Sequence, residues 1–288
     1  MIEQVVLSNS ILNVTISKIG AELMSVKKDN EEYIWIGDPE TWKMHAPLLF
    51  PIVGMVKDNK YVYNGTEYNL QYHGYGRFLH FEIESLNAKQ VVFLHRFDAE
   101  TLKVFPFKYE LRVIYTLDGI SLRVEYRIKN LDSREMYFSI GAHEGYYCPE
   151  GIEAYSVIFE KPESLDCSLL TGGLLEYRTE NIGMNIIEFP LKYEYFKNKA
   201  LIFLNLRSKE ISLRNRNTGK RIKVKIDDKH TAFTLWTSPE RKYICLEPWC
   251  GLPDFIDSDY NIENKKGIIT LAGHAEAVRS HEIVFESN

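Results

Sequence analysis

The sequence predicts an all-β protein, a large antiparallel β-sandwich. Three observations predict it. Apolar residues alternate with polar ones at a period of two in one segment after another. The alternating segments are separated by Asn-Gly, Asp-Gly and Ser/Asn-rich stretches that suit tight turns. Helical periodicity is nearly absent.

Taken along the chain, VVLSNSILNVTIS reads as two short strands around Ser-Asn-Ser. DPETWKMHA (38–46) is a short piece in which Asp38-Pro39 can start a single helical turn. YVYNGTEY (61–68) is a hairpin on Asn64-Gly65, and FEIESLNAKQVVFLHRF adds another pair of strands. In 111–128, Leu111, Val113, Tyr115 and Leu117 alternate up to Asp118-Gly119; Ile120, Leu122, Val124, Tyr126 and Ile128 follow. Ser121, Arg123, Glu125, Arg127 and Lys129 take the opposite face. Asp-Gly accepts the positive φ angles of a type I′ turn, so the hairpin is expected there. EISLRNRNTGKRIKVKID (210–227) is a third hairpin, with Ile222, Val224 and Ile226 facing one way and Lys223 and Lys225 the other. AFTLWTS, YICLEP and HEIVFES supply late strands. No linker and no internal repeat interrupts the pattern, so residues 1–288 are expected to form one domain.

The 288 residues are 45% hydrophobic, enough to bury a substantial core. The net charge is -5 with both signs dispersed, which argues against a nucleic-acid partner. No apolar run approaches a membrane span, so a membrane partner is not expected. The start, MIEQVVLSNS, lacks a basic stretch leading into an apolar one and reads against a signal peptide. Cys148, Cys167, Cys245 and Cys250 form no C-x-x-C pair and fit neither a disulfide framework nor a zinc ribbon. They are expected to be reduced thiols in a cytoplasmic protein, as small buried hydrophobes. Oligomeric state is not readable.

Three stretches place polar residues where a sandwich needs none. In QYHGYGRFLHF (71–81), glycines flank His73 and Arg77 among Tyr72, Tyr75 and Phe78. Glycines admit tight turns and close approach of a ligand, and a guanidinium can bind hydroxyls or phosphate. The alternative is a plain loop with a surface arginine. In GAHEGYYCPE (141–150), His143 falls at the end of a strand that starts at Tyr137, and Glu144 either orients it or is solvated. The alternative is a partly buried histidine satisfied by backbone. In YICLEPWCGLPD (243–254), Glu247 closes an apolar strand before Pro248. A buried carboxylate is either paired with a base or poised with a raised pKa for proton transfer. Trp249 beside it can stack on the apolar face of a sugar.

The histidines show no H-E-x-x-H or comparable ligand spacing, so no metal is expected. No P-loop, G-x-S-x-G elbow or G-x-G-x-x-G fingerprint occurs.

Taken together, these stretches resemble the aldose 1-epimerase (galactose mutarotase) family, in particular its LacX-type branch. The resemblance starts with GAELMSVKKDNEEYIWIGDPETWKMHAPLLFPIVG (20–54) and runs through YHGYGRF (72–78), VFPFKYELRVIYTL (104–117) and GAHEGYYCP (141–149). KALIFLNLRSKEISL (199–213) and YICLEPWCGLPD (243–254) follow in the family's order. It implies a galactose mutarotase-like β-supersandwich with a sugar cleft and an enzyme that interconverts the α and β anomers of an aldose. No metal or organic cofactor is implied. His143 matches the family's general acid and Glu247 its general base. His73 matches a second, sugar-binding histidine, and Arg77 follows it in the H-G-x-x-R pattern.

Three positions depart from the pattern. Met55 stands where some members carry a basic residue, and Asn198-Lys199 replaces the Asn-Asp common before A-L-I-F. Glu144 replaces the proline that commonly follows the acid histidine and would stiffen its loop. These changes leave the sugar open. The expected ligand is a small sugar or sugar phosphate, with Lys57, Arg77 and Lys199 as conceivable phosphate contacts. Rival readings are a non-catalytic carbohydrate-binding protein, a hexose-6-phosphate mutarotase, and a glycoside hydrolase pairing Glu247 with Glu144 or Asp254.

Overall fold

The computed structural model describes residues 3–197, 199–240 and 242–286. Two large antiparallel sheets face each other across one apolar core. The first has nine strands in the order Ile186–Pro190, Tyr155–Glu163, Glu210–Asn215, Arg221–Lys225, Glu276–Glu286, Ser121–Asn130, Tyr109–Asp118, Gln90–Arg96 and Glu82–Leu86. The second has seven. Ile140–Gly141 and Glu144–Tyr147 both pair with Tyr243–Cys250, and Ala232–Trp236, Leu201–Phe203, Asp166–Thr171 and Leu174–Asn181 follow outward. Leu111, Val113, Leu122 and Val124 of the first sheet share a core cluster with Leu235, Ile244 and Leu246 of the second. A four-stranded N-terminal sheet, residues 4–32, buries Leu7, Val14 and Val26 in the same cluster.

The alternation seen in the sequence sets these faces. Arg123, Glu125 and Arg127 lie on the outer face of their strand, where Glu125 pairs with both arginines. At the first of these hairpins the turn differs from expectation by one residue. Asp118 pairs with Ser121, so Gly119-Ile120 are the central residues, and only Gly119 has positive φ, at 56°. That places Gly at the first central position, as in a type II′ turn, because Ile120 is β-branched and resists positive φ. At Asn64-Gly65 the expected hairpin forms, and both central residues have positive φ, as in a type I′ turn.

Residues 38–46 form no helix. The Asp38 side chain accepts the Glu40 N–H at 2.9 Å, and its carbonyl accepts the Thr41 N–H, closing an Asx-type turn. The α-helix is Ala99–Val104, entered through a capping box in which Asp98 accepts from Glu100 and Thr101. The strand expected from Tyr137 to Ala142 is interrupted: Met136–Phe138 pairs with Ile269–Leu271, and the chain crosses at Ser139 to join the seven-stranded sheet. No described helix is long and apolar enough to cross a membrane. Cys148, Cys167, Cys245 and Cys250 are free and buried.

Candidate active site

The strand Tyr243–Cys250 is buried along its whole length. Ile244, Leu246 and Cys250 point into the core between the sheets. The alternate residues, Tyr243, Cys245, Glu247 and Trp249, face the other way. There Tyr243 and Cys245 pack with Trp35, Trp42 and Trp236, and Trp249 packs with Leu49, Val53 and Ala232. Glu247 is the one carboxylate on that apolar face, which is why it stands out in the sequence.

Register brings its partners. Thr234 pairs with Glu247, and Trp236 with Cys245. On the other side Gly141 pairs with Trp249 and Glu144 with Leu246. Counting between those pairs sets His143 opposite Glu247, beside Pro248, which has no N–H to donate to the ladder. The His143 Nε2 lies 3.4 Å from Glu247 Oε2. Gly145 is needed at its position: a Cβ there would come within 2.7 Å of the Trp42 ring, which lies 5.3 Å from the His143 ring between centroids.

His73 arrives from a different loop. Its backbone is left-handed, with φ 62°, a conformation that costs a non-glycine residue energy and is held here by its surroundings. The His73 N–H donates to Gly54 O at 2.7 Å, and the Gly54 N–H donates to His73 Nδ1 at 2.9 Å. Because Nδ1 accepts, the neutral ring carries its proton on Nε2 and presents it as a donor. The His73 ring meets that of His143 edge to face at 5.4 Å. Arg77 donates to Tyr72 O at 2.9 Å and lies over the Phe78 ring, which fixes its guanidinium.

His73, Arg77, His143, Glu247 and Trp249 line a single cavity of about 300 Å³. Its remaining wall includes Trp42, Pro47, Thr234 and Trp236, which sequence reading did not single out. Of these, Thr234 and Trp236 carried a signal: they alternate on AFTLWTS, the strand preceding the Glu247 strand. Trp249 is only 2% exposed, so it serves mainly as packed wall of the cavity.

Burial governs the electrostatics. It pushes the Glu247 carboxyl well above its ordinary 4.5, with the Glu144 carboxyl adding to the rise and Trp249 opposing it. It lowers the His143 imidazole to about 3, with Arg77 contributing. It holds His73 well below 6.5, with His143 and Arg77 contributing. Burial therefore favours the neutral form of each facing group, the carboxyl and the imidazole.

The raised carboxyl sets a stability cost. Below about pH 4.5 Glu247 is protonated in folded and unfolded chains alike, and above that the unfolded chain loses its proton first, so stability falls as pH rises. Glu247→Gln is therefore expected to raise Tm, and by more at pH 8 than at pH 4. Thermal unfolding at the two pH values checks this. An equal shift at both would show that the carboxyl is not held protonated.

Glu144 neither orients His143 nor is solvated. It lies on the opposite side of its strand and pairs with His281 of the nine-stranded sheet, Oε1 to Nε2 at 2.8 Å, with both residues buried. Asp254 is held by Lys265 at 2.7 Å, by Ser258 Oγ and by the Lys57 N–H. Neither carboxyl lines the cavity with Glu247. Lys199 borders an adjoining cavity and pairs with Glu180 at 2.9 Å, while the Lys57 ammonium donates to Ser258 O. Met55 packs against Gly173 rather than lining the site. Asn198 lies outside the described residues.

The two-sheet β-sandwich is a galactose mutarotase-like fold. The aldose 1-epimerase family model matches residues 3–281, so the chain belongs to that family. It is 33% identical to Protein LacX of Lactococcus lactis subsp. lactis, over 96% of this chain and 97% of that one. A galactose mutarotase related enzyme from Lactobacillus acidophilus superposes with a TM-score of 0.94 at 32% identity, covering 99% of this chain and 97% of that one. A galactose mutarotase-like protein from Lactobacillus casei superposes with a TM-score of 0.92 at 28% identity, covering 98% and 100%.

Proposed function

We propose that the protein is a cofactor-independent aldose 1-epimerase, with His143 as general acid, Glu247 as general base, and His73, Arg77 and Trp249 as sugar contacts. The observation that carries this is the facing pair, His143 Nε2 3.4 Å from Glu247 Oε2, at the wall of one cavity.

Anomer exchange needs a proton taken from the C1 hydroxyl and one given to the ring oxygen. The C1–O5 bond then breaks, the aldehyde turns about C1–C2, and the ring closes on the other face with the two roles reversed. A pair that holds one proton fits this, because the sum of its charges does not change through the cycle. Burial raises the Glu247 carboxyl and lowers the His143 imidazole, which favours the proton on Glu247 over His143; its passage to His143 gives the imidazolium and carboxylate that serve as acid and base. His73 Nε2–H is a fixed donor for a sugar oxygen. Trp42, Trp236 and Trp249 supply apolar walls for C–H faces of the ring.

Unphosphorylated sugars are the proposed substrates. Arg77 is the one Lys or Arg lining the cavity among the described residues, and it already donates to Tyr72 O. A cytoplasmic setting belongs to the same proposal, supported by four free buried thiols. So does a single domain, supported by a family match that spans residues 3–281.

A pH profile tests the proton arrangement. Exchange is lost on the acid side only when the His143 ring takes a second proton, and on the alkaline side when Glu247 loses the one it has. With His143 held at about 3, kcat/KM is expected to show no acid-side loss centred between pH 7.5 and 5, after subtraction of the uncatalysed rate. A decline centred near 6.5 would contradict the arrangement.

A further inference from the structure

The geometry points to a transition-metal site beside this cavity, and we propose that a single Zn²⁺ ion binds His143, Cys245 and Glu247 and reversibly blocks the acid–base pair.

Cys245 lies two residues before Glu247 on the same face of its strand, so the thiol sits beside the carboxyl, and His143 comes in from the neighbouring strand. One imidazole nitrogen, the Cys245 Sγ and one Glu247 oxygen all lie within 4.8 Å of one another. Bonds of about 2.0–2.3 Å to a tetrahedral ion place its ligand atoms roughly 3.3–3.7 Å apart, so modest inward movement closes the set. The His143–Glu247 pair, at 3.4 Å, already has that spacing. A second observation concerns hydrogen bonding: His143 Nδ1 and Glu247 Oε2 are buried and make no hydrogen bond, although Oε2 lies 3.4 Å from His143 Nε2. His143 and Glu247 open onto the cavity, which gives the ion its entry and leaves the fourth position for water.

The donor set selects the ion. Thiolate, imidazole and carboxylate together suit zinc or cobalt, whereas magnesium prefers an all-oxygen octahedron. The thiol coordinates as thiolate and Glu247 as carboxylate, and the thiol proton and the proton on Glu247 both leave to solvent. The bound ion occupies the lone pair of His143 and an oxygen of Glu247, so neither can move a sugar proton. Sequence spacing hid the set, because His143 lies far from the other two along the chain.

The block on exchange rests on the function proposed above; metal binding does not, and both are measured. Calorimetric titration with ZnCl₂ is expected to show one ion per chain, and titration with CoCl₂ a sulfur-to-cobalt charge-transfer band. Cys245→Ser and Cys245→Ala are each expected to weaken zinc binding by roughly tenfold or more and to abolish the band. Zinc should lower wild-type exchange by roughly tenfold or more, with recovery on adding EDTA and no effect of MgCl₂. The variants should resist zinc relative to their own zinc-free rates. Absence of stoichiometric zinc binding would overturn the proposal. So would binding and a cobalt band that persist in whichever Cys245 variant folds. A protein that binds zinc with the band but exchanges no sugar would support the site and count only against the function above.

Discussion

Glu247→Gln is expected to lower kcat/KM for anomer exchange by about 10²- to 10⁴-fold. The substitution keeps the shape of the side chain and its place opposite His143 and Thr234, but an amide can neither accept the C1 hydroxyl proton nor return it. His143→Ala should lose a comparable factor, since it removes the other half of the exchange. In the proposed cycle the two pass one proton between them, so the double variant should be little worse than either single one. Steady-state polarimetry at several sugar concentrations checks this, with KM changed less than kcat. A loss under tenfold in both single variants would remove these residues from the chemistry.

The second large effect lies beneath the site. His281→Ala is expected to destabilise the protein by about 3–5 kcal/mol, because it leaves the buried Glu144 carboxyl without its 2.8 Å partner. The other oxygen of Glu144 already lacks a hydrogen bond, so the side chain has no alternative contact in place. In a chain of this size the change corresponds to a fall in Tm on the order of 10 °C. A double variant, Glu144→Met with His281→Leu, should recover much of the loss, because two apolar side chains remove both buried polar groups together. Chemical denaturation of the three variants and the parent measures it. A single-variant loss within experimental scatter would mean that the pair does not hold the two sheets together.

The legible parts of this fold were those whose signal is local. Asn64-Gly65 and the Ser121–Asn130 alternation announce their hairpins because turn chemistry and face periodicity act over a few residues. Glu247 was legible for a related reason: a carboxylate in an apolar strand conflicts with its surroundings, and such conflicts mark sites. The strands at 155–190 gave a weaker signal, since much of Leu174–Asn181 and Ile186–Pro190 is exposed and their polar residues fall on both faces. The helix Ala99–Val104 is only six residues long, too short for a period, and its capping Asp98 was the sole cue.

Around His143 the reading of faces failed for a specific reason. The stretch AHEGYY has no apolar alternation, so nothing local says that His143 turns to the cavity and Glu144 to the core. The pairing with Tyr243–Cys250 decides it, across about 100 residues. The neighbouring pairing of Ala232–Trp236 with Tyr243–Cys250 supplied Thr234 and Trp236, and the long-range one set His143 beside Cys245 and Glu247. The sequence singled out His73, Arg77, His143, Glu247 and Trp249, while Trp42, Pro47, Thr234 and Trp236 came from the fold.

The most direct measurement is proton exchange spectroscopy on equilibrated glucose, galactose and glucose 6-phosphate with the purified protein. The account predicts α/β exchange above the uncatalysed rate for at least one free hexose, weaker or absent for the phosphate, and lost in Glu247→Gln. Binding of these sugars by folded protein with no exchange above the buffer rate would contradict it and make the cavity a carbohydrate-binding site.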